Sequence, residues 1–143
     1  RTTMDLGCIR ECVARLKDDQ RVVIFPEGQL NLTDEILPFK PGAALIAMQA
    51  ESQVIPVFTS GVYKPFGGLN IMIGKPITLN ELFPESMGAA AIQNATELMQ
   101  NRMQSLSDRL SELMTDKEKE AQRRYRAKFA EKRIAAEKRK QGK

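Results

Sequence analysis

The stretch Arg21-Val22-Val23-Ile24-Phe25-Pro26-Glu27-Gly28-Gln29-Leu30-Asn31 decides how the rest of the chain is read. Val22 to Phe25 are β-branched or aromatic, the residue types that favour a strand. They run directly into Pro26-Glu27-Gly28. Pro fixes the direction in which the chain leaves, and Gly permits a backbone conformation or a close approach that other residues resist. Glu27 places two acceptor oxygens between them. In open α/β sheets ligands bind beyond the carboxyl ends of strands, so a carboxylate at this point can accept from substrate hydroxyls or hold a cation. A plain strand-to-loop turn whose Glu faces water explains the same residues.

Working outward, Leu6, Ile9, Val13 and Leu16 recur at helical spacing, and residues 4–17 read as an amphipathic helix. Asp18-Asp19-Gln20 form the turn into the strand. Residues 29–40 lack a period and contain Pro38, as a loop would. Pro41-Gly42 then open an all-apolar helix, Ala43 to Met48, whose N-terminus behind Lys40 offers free N–H groups to a phosphate. Val54 to Phe58 is expected as a second strand and Leu69 to Ile73 as a third, with the Gly67-Gly68 turn before it. Ser86 is the expected cap of a long helix with a core stripe of Ile92, Ala95, Met99, Met103, Leu106, Leu110 and Leu113. Thr115-x-x-Glu118 is a capping box and starts a separate helix.

This order predicts an α/β fold: a partial mixed sheet with a parallel crossover and flanking helices, followed by a long basic helical tail. Residues 1–114 form the body and 115–143 the tail. The charge supports the division. Lys117 to Lys143 carry 12 of the 22 basic residues and 4 of the 18 acidic ones, so the tail is strongly positive and the body mildly negative. With 42% hydrophobic and 28% charged residues, the 143-residue chain belongs with globular proteins. No apolar run approaches the roughly 18 residues that suggest a membrane span, and no secretory signal is visible. Residue 1 is Arg, which leads us to expect that the sequence begins partway through a longer protein.

Cys8 and Cys12 share a helix face where a disulfide would be strained, and the chain has no His. Two packing thiols in a reduced, cytoplasmic protein are expected, with no metal site.

Taken together, "VVIFPEGQLN", "LPFKPGAALIA" and "VIPVFTSG" resemble the glycerolipid acyltransferases, the 1-acyl-glycerol-3-phosphate and other lysophospholipid acyltransferases, from Leu6 to about Ile77. The later "GKPITLNELF" and long helix fit the family's closing segment. The resemblance implies an enzyme of phospholipid biosynthesis that moves a fatty acyl group from acyl-CoA or acyl-carrier protein, its co-substrate, to a lysophospholipid hydroxyl. No other cofactor is implied. The family's general base is the His of a His-x-x-x-x-Asp motif upstream of Phe-Pro-Glu-Gly. That motif is absent, so the chain resembles the C-terminal portion of such an enzyme, and no catalytic residue is expected within it. Phe25, Pro26, Glu27, Gly28, Lys40 and Pro56 then carry over as substrate-binding positions, together with Arg1, which lies at about the family's spacing for an acceptor-site Arg. Pro56 equally suits an edge strand or a bulge.

One departure bears on the acceptor. Where the family often reads Phe-Pro-Glu-Gly-Thr-Arg-Ser, this chain has Gln29-Leu30-Asn31, and Leu30 cannot grip a phosphate. The tail's apolar face (Ala121, Tyr125, Phe129 and Ala136) is too thin for deep insertion. It suits electrostatic attraction of Lys117–Lys143 to anionic lipid at the cytoplasmic face of a membrane. A non-catalytic binding module and a basic-tailed nucleic-acid-binding protein are the alternatives. The second is the weaker, since the tail carries no nucleic-acid motif.

Overall fold

The computed structural model describes residues 6–31, 33, 35–62, 68–84 and 88–141. Leu6–Lys17 forms α1, which buries Ile9, keeps Cys12, Val13 and Leu16 half-buried, and packs against the next helix. Its end is a tight turn: Asp19 takes a positive φ of 57°, and Gln20 N–H donates back to the Arg15 carbonyl at 3.0 Å. Cys8 and Cys12 are free thiols. Burial, with a contribution from Cys8, pushes the Cys12 thiol up from its ordinary range.

Gly42–Gln49 is α2, apolar on every side and correspondingly buried along Ala43, Ala44, Ile46, Ala47 and Met48. Around it gathers the core: Ala43, Ala44, Ala47 and Met48 meet Ile77, Leu79, Ala95 and Met99, with Phe39, Val54 and Phe83 at the margin. Four alanines in that cluster allow the helices to approach closely.

The strands depart from expectation. Gln53–Val54 (β1), Val57–Gly61 (β2), Leu69–Ile73 (β3) and Ile77–Thr78 (β4) form two separate antiparallel pairs, β1 with β4 and β2 with β3. The expected second strand is cut at Pro56, which has no N–H to give to a ladder. Val54 pairs with Ile77 and Val57 with Ile73, so Ile55-Pro56 oppose Gly74-Lys75-Pro76, a bulge with one extra residue on the far side. Pro56 still accepts, from Gly74 N–H at 2.8 Å.

The expected buried strand Val22–Phe25 is corrected outright. The segment joins no sheet, and Val23 is 84% and Phe25 82% exposed. The mixed sheet with a parallel crossover is not formed either. Antiparallel pairs close through short connections, whereas a parallel partner for residues 22–25 needs a long crossover, and none is made among the described residues. The register sets Val57, Thr59 and Gly61 on one face with Ile73, Ile71 and Leu69. Ile71 and Ile73 remain 57% and 68% exposed there.

Leu79–Leu82 is the short α3, and Ala89–Leu113 is α4, with Gly88 at its N-cap. The expected cap, Ser86, lies outside the described residues. α4 buries Ala95, Thr96, Met99, Leu106 and Leu110, while Ile92 and Met103 are half-buried. Thr96 is tolerated because its hydroxyl donates to the Ile92 carbonyl at 2.7 Å. Leu113 is exposed, and Met114, just past the helix, is buried in its place. The capping box forms as the sequence indicates. The Thr115 N–H and hydroxyl donate to Glu118 Oε2 at 2.8 and 2.7 Å, and Glu118 N–H donates to Thr115 Oγ1 at 3.3 Å, opening α5, Asp116–Gln141.

α5 does not project freely from its start. Its first half lies on β2, with Lys119, Gln122, Tyr125, Arg126 and Ala130 half-buried, while residues 131–139 are exposed. The side turned inward is therefore largely polar and differs from the expected apolar face. Of that face, Tyr125 alone is half-buried; Ala121, Phe129 and Ala136 are exposed.

Candidate functional site

Phe25-Pro26-Glu27-Gly28 closes as a tight turn: Gly28 N–H donates to the Phe25 carbonyl at 3.0 Å. Pro at the second position and Gly at the fourth are the residues such a turn prefers. Gly28 has φ +63°, so its identity matters. The chain returns beside the turn twelve residues later, where Lys40 N–H donates to the Pro26 carbonyl at 2.8 Å. The Lys40 side chain lies across Gly28, its Nζ reaching the Gly28 carbonyl at 3.5 Å. A Cβ on Gly28 would stand 2.8 Å from Lys40 Cδ. Pro26, Glu27, Gly28 and Lys40 thus form one cluster.

Glu27 does not simply face water. Its Oε1 accepts from Asn31 Nδ2 and from the Leu37 N–H, each at 3.3 Å, spanning the loop that follows the turn. Oε2 makes no hydrogen bond among the described residues and is free to accept from a ligand. The loop is braced further within itself. Asn31 Oδ1 accepts from the Thr33 N–H and hydroxyl, both at 2.8 Å, and Asn31 Nδ2 donates to the Glu35 carbonyl at 2.6 Å. The brace continues into the tail, because the Arg126 guanidinium donates to the Thr33 carbonyl. A continuous set of hydrogen bonds therefore runs from α5 through Thr33 and Asn31 to the Glu27 carboxylate.

Behind Lys40, α2 begins without a side-chain cap on its first turn, and Gln100 of α4 fixes the approach by accepting from Phe39 N–H at 2.9 Å. Lys40 is exposed at the mouth of this corner, with uncapped N–H groups and a cation side by side. Phe25 projects into solvent. Pro56 is buried, its ring near Gly74, where an added Cβ would meet Pro56 Cγ at 2.8 Å and Leu106 Cδ1 at 3.2 Å. These contacts make it a packing and bulge residue in this structure. Arg1 lies outside the described residues. Asn31, Thr33 and Arg126 were not singled out from the sequence. The Asn-x-Thr spacing of a side-chain turn was a usable signal for the first two, whereas nothing local marks Arg126.

Residues 3–60 match the Acyltransferase family, and the turn, the loop, Lys40 and Pro56 all fall in that span. The chain is related to the glycerolipid acyltransferases. It is similar to mouse 1-acyl-sn-glycerol-3-phosphate acyltransferase alpha, 33% identical over 87 residues that cover 53% of this chain and 30% of the mouse protein. Human 1-acyl-sn-glycerol-3-phosphate acyltransferase beta is 40% identical over 45 residues, covering 32% and 16% of the two chains. The coconut palm (Cocos nucifera) 1-acyl-sn-glycerol-3-phosphate acyltransferase is 31% identical over 72 residues, covering 50% and 23%. The matched segment thus spans less than a third of these relatives. No solved structure matches the chain. No described helix is long and apolar enough to cross a membrane.

Proposed function

We propose that residues 1–114 supply the acceptor side of an acyltransferase that moves a fatty acyl group from acyl-CoA or acyl-carrier protein to a lysophospholipid such as 1-acyl-glycerol-3-phosphate, with residues 115–143 as a basic extension suited to an anionic membrane surface. The observation that carries this reading is the Phe25–Gly28 turn with Lys40 laid across it, within the segment shared with the acyltransferases. In the reaction the acceptor hydroxyl oxygen attacks the thioester carbonyl, the carbon–sulfur bond breaks, the thiol departs, and a base takes the hydroxyl proton. These 143 residues contain no His. The family's base would therefore have to come from sequence outside them, and the chain by itself would not catalyse transfer.

The residues present would position the acceptor. Glu27 keeps the loop closed with Oε1 and offers Oε2 to a glycerol hydroxyl, and Lys40 with the α2 N-terminus offers positive charge to the acceptor phosphate. Leu30 is exposed and cannot assist. In this reading Lys40 is the cation that meets the phosphate in this corner. The test is Lys40→Ala in a protein that contains both this segment and a His-x-x-x-x-Asp motif. The acceptor KM is expected to rise about tenfold, the worth of one charge-assisted hydrogen bond, with the donor KM unchanged. A rise confined to the donor would assign Lys40 to the other substrate and overturn the reading.

A further inference from the structure

Between β2, the last turns of α4 and the first turns of α5 lies a cavity of about 150 Å³. It is small beside the roughly 300 Å³ at which pockets for drug-sized ligands begin, and suits a compact group. Phe58 and Met114 supply its apolar part, and no residue of the Phe25–Gly28 turn lines it.

The polar wall is made of hydroxyls, one amide and two cations. The Ser60 hydroxyl, buried, donates to Gln122 Oε1 at 2.6 Å. That bond leaves the Gln122 amide N–H groups without an acceptor among the described residues. Ser107 and Ser111 stand one turn apart on α4 and line the cavity with hydroxyls that have no partner among the described residues. Lys119 and Arg123 stand one turn apart on α5 and complete the lining. No carboxylate belongs to it.

The two cations are the telling feature. Neither has an ion-pair partner among the described residues, although the same helix pairs Glu120 with Arg124 at 2.5 Å just one residue further on. Like charges four residues apart destabilise a helix. Here they line one cavity with the Gln122 amide and the Ser107 and Ser111 hydroxyls, all able to donate, and with no carboxylate. A bound oxyanion would relieve the repulsion and satisfy those donors together.

We infer that this cavity is a binding site for a phosphate group, free or carried by a phospholipid headgroup, held by Lys119, Arg123, Gln122 and the Ser107 and Ser111 hydroxyls. Because its walls come from both α4 and α5, an occupied site also ties the first half of the tail to the body.

The experiment is a titration of the isotopically labelled 143-residue chain with inorganic phosphate at constant ionic strength set by chloride, followed by amide and side-chain NMR. Saturable shifts at Ser107, Ser111, Lys119 and Gln122 are expected. Lys119→Gln combined with Arg123→Gln should weaken them at least about tenfold, with helix content by circular dichroism unchanged. Lys128→Gln with Lys132→Gln removes the same charge from the same helix away from the cavity and should leave binding as it was. A parallel arm uses vesicles of phosphatidylcholine with and without phosphatidic acid. Shifts of the same residues with phosphatidic acid vesicles alone assign the site to a lipid headgroup; shifts with free phosphate assign it to a soluble phosphate. Absence of saturable shifts in both arms overturns the inference. So does equal weakening by the two double variants, which would mean non-specific attraction to a basic helix.

Discussion

Two glycines with positive φ separate two kinds of constraint. At Gly28 the conformation itself is the obstacle: φ is +63°, and the nearest atoms to an added Cβ belong to the flexible Lys40 side chain. Gly28→Val is therefore expected to cost about 1–2 kcal/mol, the ordinary penalty of a left-handed residue, while displacing Lys40 from across the turn. At Gly61, φ is +108° and an added Cβ would fall 2.0 Å from the Gly68 carbonyl oxygen, which is backbone and cannot swing away. Gly61→Ala should break the β2–β3 hairpin and cost more than about 4 kcal/mol. Urea denaturation of the two variants beside the unaltered chain checks the ranking; equal losses would contradict it. The sequence singled out Gly28, because Pro-Glu-Gly after an apolar run is a recognisable turn. It did not mark Gly61, whose constraint arises from Gly68, seven residues further along the chain.

Among the elements, helices were the more legible. α1, α2 and α5 begin and end close to where spacing and capping residues indicate, because a helix makes its hydrogen bonds within its own sequence. The sheet was less so. Val22 to Phe25 have the composition of a core strand, but a strand is completed only by a neighbour, and local composition cannot say whether that neighbour is present. Pro56 shows the same limit: its missing N–H was evident, whereas the bulge it makes depends on Gly74-Lys75-Pro76 across the ladder. The capping box gives an element-level prediction. The Thr115 hydroxyl, and after it the Thr115 N–H, hold the Glu118 carboxyl below its usual range. Its folded value is thus lower than its unfolded one. The box contributes fully above the ordinary Glu value of about 4.3 and is lost as pH falls through the lowered folded value. Fraying at the start of α5, followed by hydrogen exchange of the Glu118 amide, should set in only on that acidic side. Glu118→Gln keeps a capping side chain but should abolish this pH dependence. Fraying that begins near neutral pH would contradict the assignment.

At the scale of the molecule, the candidate site and the tail are mechanically joined. Arg126 donates to the Thr33 carbonyl, Thr33 to Asn31, and Asn31 to Glu27, so the strongly basic helix α5 also braces the loop beside the Phe25–Gly28 turn. Composition had divided the chain into body and tail; side-chain contacts reconnect them, and no local pattern could have shown that. The Glu27 carboxylate is where this bracing and the proposed acceptor chemistry meet. Its most direct test uses a protein carrying this segment together with a His-x-x-x-x-Asp motif. Thiol release from acyl-CoA is measured with 1-acyl-glycerol-3-phosphate as acceptor, for the unaltered protein and for Glu27→Ala. Acceptor-dependent release that falls about a hundredfold in the variant, the scale of a slightly misplaced substrate, with a melting temperature lowered by only a few degrees, is the result this account predicts. An unaltered protein that releases no thiol with any lysophospholipid, or a variant whose acceptor dependence is unchanged, would contradict it.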